Sequence, residues 1–346
     1  MHVSAERLLA TATDVGFCGV LRLEWAGDRA GSGGEAVAGD GAGSGGEAVT
    51  AAFGMANRAY SVPHTPDLRF GMASITKGFT ALAVGSLVSD GVLSFDTPAR
   101  EYLGTDLPLV ADTVTVGQLL NHTSGVADYW SDSDPEAPEY PAVPPALLAD
   151  AEQYLPLLDG RPMVSEPGRV FAYNNGAFCV AAIIAQRASG VEFHELVQQR
   201  VFDAAGMTRS GFLRQDELPG DAAVGYLRAE GPRTNVLHLA VRGGGDGGAY
   251  STAEDLGLFW RALMADEIVS SDVRQMMLTP TEPTPERLLD RPYGLGFWLG
   301  NGYLLRGADR GVSTWTHYDP ADGSILTVLS NVTEGVWPLL HALRLR

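Results

Sequence analysis

Apolar positions along the chain fall into two regimes. Near both ends they occur in short runs rich in β-branched and aromatic residues, bounded by glycine and by polar turns. Residues 16–25 (GFCGVLRLEW), about 48–58, 293–305, 312–318 and 324–331 read in this way as strands. Helical stretches flank them at 4–12 and 336–345. In the middle the pattern is helical. Residues 75–89 (ITKGFTALAVGSLVS) are nearly all apolar and stop at Asp90-Gly91, and a helix that is apolar all round is a buried one. Segment 95–200 reads as helix and loop, and 253–264 as a further helix. Strands at both ends around a helical middle predict one antiparallel sheet built from both termini and flanked by helices. The helical segment is inserted as a second lobe. The class is α/β in the α+β sense. The sheet lobe covers about 1–75 and 240–346, and the helical lobe about 90–235, within a single domain.

Two segments interrupt this pattern. AGSGGEAV occurs at 30–37 and again at 42–49. A Gly/Ser-rich duplication reads as a flexible lengthening of the turn between two antiparallel strands, not as a solenoid period. The acidic, proline-rich DYWSDSDPEAPEYPAVPP at 128–145 reads as a solvated surface loop, with a share in a cleft rim as the sharper alternative.

Charge narrows the functional classes. The 346 residues carry a formal net charge of −18, which disfavours nucleic acid as a partner and attachment to anionic membranes. No stretch approaches the roughly 20 apolar residues of a membrane span, and the N-terminal residues lack the pattern of a cleaved leader, so the expected location is the cytoplasm. Cys18 and Cys179 lie in apolar surroundings and read as buried free thiols. The seven histidines show neither H-E-x-x-H nor close pairing, so neither a metal nor another cofactor is expected. RGGGDGGAYS at 242–251 lacks the Gly-Lys-Ser/Thr of a phosphate loop. Its glycines read as a place where backbone packs closely. No G-x-S-x-G nucleophile elbow occurs.

One residue stands apart. Of 24 Lys and Arg, a single one is Lys, at position 77, inside SITK. Arginine stays protonated in proteins, whereas burial can push lysine to its neutral form. A neutral amine can accept a proton from a hydroxyl, and Ser74 stands three residues earlier, on the same helical face. The N-terminus of a helix adds a positive dipole end and free N–H groups, which favour a developing oxyanion. Ser with a buried Lys is a nucleophile–base pair. The alternative is a capping serine beside an incidental lysine, and S-x-x-K by itself does not decide between them.

Further stretches do. FGMASITKGFTALAV, LLNHTSGV at 119–126, PGRVFAYNNG at 167–176 and YSTAEDL at 250–256 together resemble the serine β-lactamase and penicillin-binding protein superfamily. Within it they resemble the class C β-lactamase-like branch of esterases, D-aminopeptidases and DD-peptidases. The resemblance runs from about residue 16 to 340. It implies that Ser74 attacks a carbonyl and becomes acylated, with Lys77 as the base or its assistant. Tyr173 would carry protons between Ser74, the leaving group and the attacking water. Asn175 would bind substrate and hold Lys77.

The third motif of the superfamily, Lys-Thr-Gly or His-x-Gly on a strand, is broken. In LLRGADRGVSTWTHYDP at 304–320, setting the glycine on Gly307 puts Leu305 at the Lys/His position and Arg306 at the Thr position. A shift of one residue would instead give Arg306 the cationic role, and strand alternation lets only one of the two face the cleft. The backbone N–H of Ala308 is the expected second oxyanion donor. An apolar Leu305 wall would suit an uncharged ester or amide better than a carboxylate-bearing β-lactam. The expected partner is therefore a small ester, amide or peptide. A serine hydrolase is the leading reading. An acyltransferase on the same scaffold and a non-catalytic binding protein that keeps the fold are the alternatives.

Overall fold

The structure, a computed structural model, describes residues 3–25, 48–130, 143–283 and 291–345. Most of the duplicated Gly/Ser segment and of the acidic, proline-rich stretch lies outside the described residues.

The chain opens with helix α1 (Ala5–Asp14), whose first turn is capped by the Ser4 hydroxyl, an acceptor for the Arg7 N–H. Strands β1 (Gly19–Glu24) and β2 (Ala48–Phe53) follow. Near the other end come β3 (Tyr303–Asp309), β4 (Val312–Tyr318) and β5 (Ile325–Ser330). These five form one antiparallel sheet in the order β2-β1-β5-β4-β3. The last strand thus pairs with the first, and the two ends of the chain close one sheet, as the pattern predicts.

Alternation along the strands gives the sheet two apolar faces. Leu21, Leu23, Trp315, Leu326 and Val328 point to one side, against Leu8 of α1 and Leu339 of α5 (Trp337–Leu343). Val20, Leu305, Ile325 and Leu329 point to the other, into the main core. There lie α2 (Thr76–Ser89), α3 (Asn175–Ser189) and α4 (Ala253–Met264). Helix α2 is buried from Thr76 to Leu87 without interruption, which accounts for its apolar sequence.

Two predicted strands change on folding. The run at 48–58 breaks at Gly54, whose φ of +79° only glycine adopts freely. Met55–Asn57 then leaves the sheet and pairs with Val62–Pro63. The strand predicted over 293–305 begins only at Tyr303. Gly302, at φ +112°, presses on the Tyr318 carbonyl and the His317 ring. The apolar residues before it, Tyr293, Phe297 and Trp298, are buried in an irregular segment. A run of buried apolar residues looks like a strand whichever backbone carries it.

Candidate active site

The segment ahead of α2 is fixed from two directions. Phe70–Gly71 pairs with Tyr250–Ser251. The Met72 N–H donates to the Ala249 carbonyl at 2.7 Å, and the Met72 carbonyl accepts from the Thr314 hydroxyl of β4 at 2.9 Å. Between these anchors Ala73 takes φ +45°, a left-handed conformation that costs an L-residue energy. It starts a short 3-10 turn, Ala73–Ile75, that runs into α2. Ser74 sits in this turn, half-buried, and its hydroxyl is not spent on capping the helix. Lys77, one turn on, is 1% exposed.

The Lys77 ammonium has three oxygen neighbours. Nζ lies 3.0 Å from Ser74 Oγ, 2.8 Å from Asn175 Oδ1 and 2.7 Å from the Asp246 carbonyl. Three donors facing three oxygens is the complement of an ammonium. Two of those oxygens, the amide and the peptide carbonyl, can only accept. A proton could run either way only along the Lys77 contacts with hydroxyls, those of Ser74 and Tyr173. Burial pulls the lysine pKa down, but the neighbouring Tyr173, Asp246 and Asp128 more than offset it, and the group stays protonated above its ordinary range. The sequence expectation counted burial alone, and the fold adds acidic groups around the amine that act in the opposite direction.

Asn175, first residue of α3, is aimed by Asp128. One carboxylate oxygen of Asp128 accepts the Asn175 N–H at 3.0 Å and its amide Nδ2 at 3.2 Å, and the other accepts the Gly176 N–H at 2.9 Å. A carboxylate on the amide nitrogen forces Oδ1 to turn the other way, toward Lys77. An anion at a helix start also suits the dipole. Burial raises the Asp128 pKa, although these N–H donors and Lys77 oppose it. Asn174 caps the same helix through the Ala177 N–H at 2.7 Å.

Tyr173 is half-buried between two rings. It stacks on Trp298, with centroids 6.2 Å apart and planes at 11°, and tilts over His122 at 4.3 Å. Lys77 Nζ is 5.1 Å from its ring centre. His122 is 1% exposed, and its Nδ1 accepts the Asn174 N–H at 3.1 Å, so Nε2 carries the proton. Burial and the Lys77 charge push its pKa well down, leaving a neutral ring.

Strand β3 forms the opposite wall and is the edge of the sheet. Leu304 exchanges both backbone hydrogen bonds with Trp298, off the outer edge, at 2.9 and 3.1 Å. By the two-residue period the backbone groups of Arg306 and Ala308 turn the same way. Ala308 is exposed, with its N–H turned to the outer edge by this period, and Gly307 brings the strand up to the Ser74 backbone nitrogen.

The neighbouring side chains depart from the expectation of an apolar cleft wall. Leu305 is 2% exposed and packs on Gly78 of α2, where a Cβ would meet its Cδ1 at 2.7 Å. It shares the inward face with Gly307, so it fills core. Arg306 points to the other face, its guanidinium 4.5 Å from the Trp337 ring centre and electrostatically coupled to Tyr173. Burial lowers its pKa.

Sequence reasoning missed Asp128, His122 and Asp246. His122 lay inside LLNHTSGV, which marked the region but not the residue. Asp246 is the only acidic residue in the glycine-rich run. The tight packing read from those glycines is present: Gly245 abuts the Phe178 carbonyl, and its own carbonyl accepts from the Thr80 hydroxyl of α2 at 2.6 Å. Among the described residues, no group of three or more His, Cys, Asp or Glu is placed to hold a metal ion, and no helix is long and apolar enough to cross a membrane.

Comparison with known proteins decides the kinship. The Beta-lactamase family profile matches residues 36–345. The chain belongs to the β-lactamase family. A penicillin-binding protein from Bacillus halodurans has a structure with TM-score 0.84 and 34% identity, over 97% of this chain and 99% of that one. Among curated proteins, the D-aminopeptidase of Brucella anthropi is 27% identical over 319 residues, 82% of this chain and 56% of the relative. Esterase EstB of Burkholderia gladioli is 30% identical over 182 residues, 51% of this chain and 46% of the relative. The chain thus spans about half the length of these curated relatives. The β-lactamase fold, with its antiparallel sheet and flanking helices, is common to this chain and the Bacillus halodurans protein.

Proposed function

We propose that this chain is a serine hydrolase that forms an acyl-enzyme on Ser74 from an ester or amide. The observation that carries this reading is the Lys77 ammonium, 3.0 Å from Ser74 Oγ and held by Asn175 and the Asp246 carbonyl. Such a hydroxyl is oriented, and the charge it develops on losing its proton is met by a fixed cation. In the proposed reaction Ser74 Oγ bonds to the substrate carbonyl carbon. The carbonyl oxygen takes up negative charge facing the N–H groups of Ser74 and Ala308. The Ser74 proton passes to Tyr173 and on to the departing alcohol or amine as its bond to carbon breaks. Water then adds to the acyl carbon and gives up a proton through Tyr173 to Ser74 Oγ as the carbon–Oγ bond breaks, releasing the carboxylic acid and restoring Ser74.

Neutral substrates are favoured within this reading. Leu305 stands where a cation would meet a substrate carboxylate, and it is turned into the core. The Arg306 guanidinium packs on Trp337. The family relationship supports ester and amide chemistry through relatives named as an esterase and a D-aminopeptidase.

The test is covalent labelling with a fluorophosphonate and with a fluorescent penicillin, followed by peptide mass mapping. One adduct on Ser74, lost in Ser74→Ala, is expected, together with turnover of p-nitrophenyl esters or D-amino-acid amides. Absence of any adduct on the folded protein would leave a binding protein on a hydrolase scaffold. An adduct that persists in Ser74→Ala would move the nucleophile elsewhere.

A further inference from the structure

Asp246 has a side chain that the proposed reaction does not use. Its carbonyl binds Lys77, while its carboxylate turns into the protein. Oδ2 accepts from the Tyr129 hydroxyl at 2.7 Å and Oδ1 from the Cys179 thiol at 3.2 Å. Cys179 is buried and Tyr129 half-buried, and desolvation with the Asp246 charge keeps both neutral, pushing their pKa values well up. Tyr154, packed on Tyr129 and against Gly244, is held neutral by the same causes. The carboxylate is thus wrapped by donors that do not compensate its charge. The one cation beside it among these groups is Lys77.

Three elements converge here: α2 through Lys77, α3 through Cys179, and the loop after His122 through Tyr129. The glycines around Asp246 allow it, since Gly245 has no room for a side chain against Phe178. Charge on a half-buried carboxylate ringed by neutral groups is costly unless it is paired.

We propose that Asp246 is a positioning residue whose carboxylate holds the proton of the site on Lys77, leaving Tyr173 to take the proton of Ser74. Lys77 Nζ lies 5.1 Å from the Tyr173 ring centre, and a negative charge behind the amine favours its ammonium form. Asp128 adds to this bias from the Asn175 side, and the neutral His122 carries no charge to oppose it. Lys77 is then an ammonium that orients Ser74 and stabilises charge, and Tyr173 is the proton carrier. The inference deepens the hydrolase reading and rests on it for its meaning, but it can be tested without substrate.

The sequence supplies the probe, because Lys77 is the only lysine. Protein grown with 13C-labelled lysine has one set of lysine side-chain signals, and the Cε shift reports its protonation. In the unmodified chain the ammonium shift is expected to persist through the range in which an ordinary lysine loses its proton. In Asp246→Asn the midpoint should fall by about one unit or more, and in Asp246→Glu it should return toward the original. Should the Asn variant not fold, Asp246→Ser, which leaves room for water and keeps the carbonyl, is read in the same way. A native midpoint below that of an ordinary lysine would overturn the proposal. So would a folded neutral variant with an unmoved midpoint. Neither outcome depends on whether Ser74 is acylated, which the labelling experiment decides separately.

Discussion

Gly307 lies so close to Ser74 that a Cβ at position 307 would stand 2.9 Å from the Ser74 backbone nitrogen. It would also press on the Met72 carbonyl and stand 2.6 Å from the Thr314 hydroxyl oxygen. This approach sets the gap between the edge strand and the turn that carries Ser74, on which the proposed pairing of the Ser74 and Ala308 N–H groups depends. Gly307→Ala must open that gap. The expected result is a loss of about 1–3 kcal/mol of stability from overpacking. Acylation should slow by on the order of 10²-fold, as when one oxyanion donor is displaced. Thermal unfolding and single-turnover labelling measure the two separately. Unchanged acylation in Gly307→Ala would remove β3 from the oxyanion site.

Leu305 gives a prediction opposite in sign to the one its sequence position suggests. Read from the motif, Leu305→His should restore a cation to the cleft. In the fold Leu305 fills core against Gly78, so the imidazole would be buried without a partner. The variant should lose about 2 kcal/mol or more of stability, with no gain in kcat/KM for carboxylate-bearing β-lactams. For the unmodified chain, neutral short-chain esters should exceed nitrocefin in kcat/KM. Faster nitrocefin turnover would sink the neutral-substrate reading, and a stable Leu305→His with improved nitrocefin turnover would return residue 305 to the cleft.

The contrast between these residues marks what was legible. Ser74 and Lys77 could be read because their meeting depends on one helical turn, which spacing alone dictates. Helix α4 could be read because its own sequence carries its signals: Thr252 caps it, Glu254 and Asp255 fill the first turn, and the apolar face follows. Asp246 could not be read as a ligand of Lys77, since it offers a peptide carbonyl that every residue has. Asp128 acts across 47 residues of sequence, and nothing local ties it to Asn175. The direction of Leu305 and Arg306 depended on strand register, which a two-residue period leaves ambiguous until one neighbour is fixed. Leu304, bonded to Trp298, fixes it.

Acid stability should carry the signature of a buried histidine. His317 is 2% exposed, stacked on Trp315, with Nε2 3.0 Å from the Asn301 carbonyl. Burial lowers its pKa to about 4, against the pull of that hydrogen bond. The unfolded chain takes up this proton near pH 6.5, whereas the folded chain resists it to about 4. Stability therefore falls as pH drops through that window. Between about pH 7 and pH 5 the loss from this one group is about 2 kcal/mol. His122, lowered in the same direction, adds to it. Urea unfolding at both pH values should show the decline, and a folded His317→Gln should show a shallower one. An equal pH slope in that variant would mean that His317 is not the group responsible.

The last prediction concerns the lone lysine. Were its neutral amine the base, Lys77→Arg would fail because guanidinium cannot give up its proton. The contacts give a different reason for the same failure. The amine occupies a site 1% exposed, with Ser74, Asn175 and Asp246 oxygens all within 3.0 Å and the Phe178 ring centre 5.7 Å away. A planar, longer fork cannot meet three oxygens arranged around a point. Lys77→Arg should therefore lose acylation by on the order of 10² or more and also lose stability by about 1–3 kcal/mol. Lys77→Ala leaves Asp246 and Asp128 without their cation. The two explanations separate by chemical rescue of Lys77→Ala with methylamine. If Lys77 works as an ammonium, the rescued acylation rate should follow total methylammonium and fall where methylamine loses its proton. If it works as a base, the rate should instead climb in proportion to free amine as pH rises. Climbing rates of that kind, with the variant folded throughout, would restore the neutral lysine and remove the division of roles between Lys77 and Tyr173.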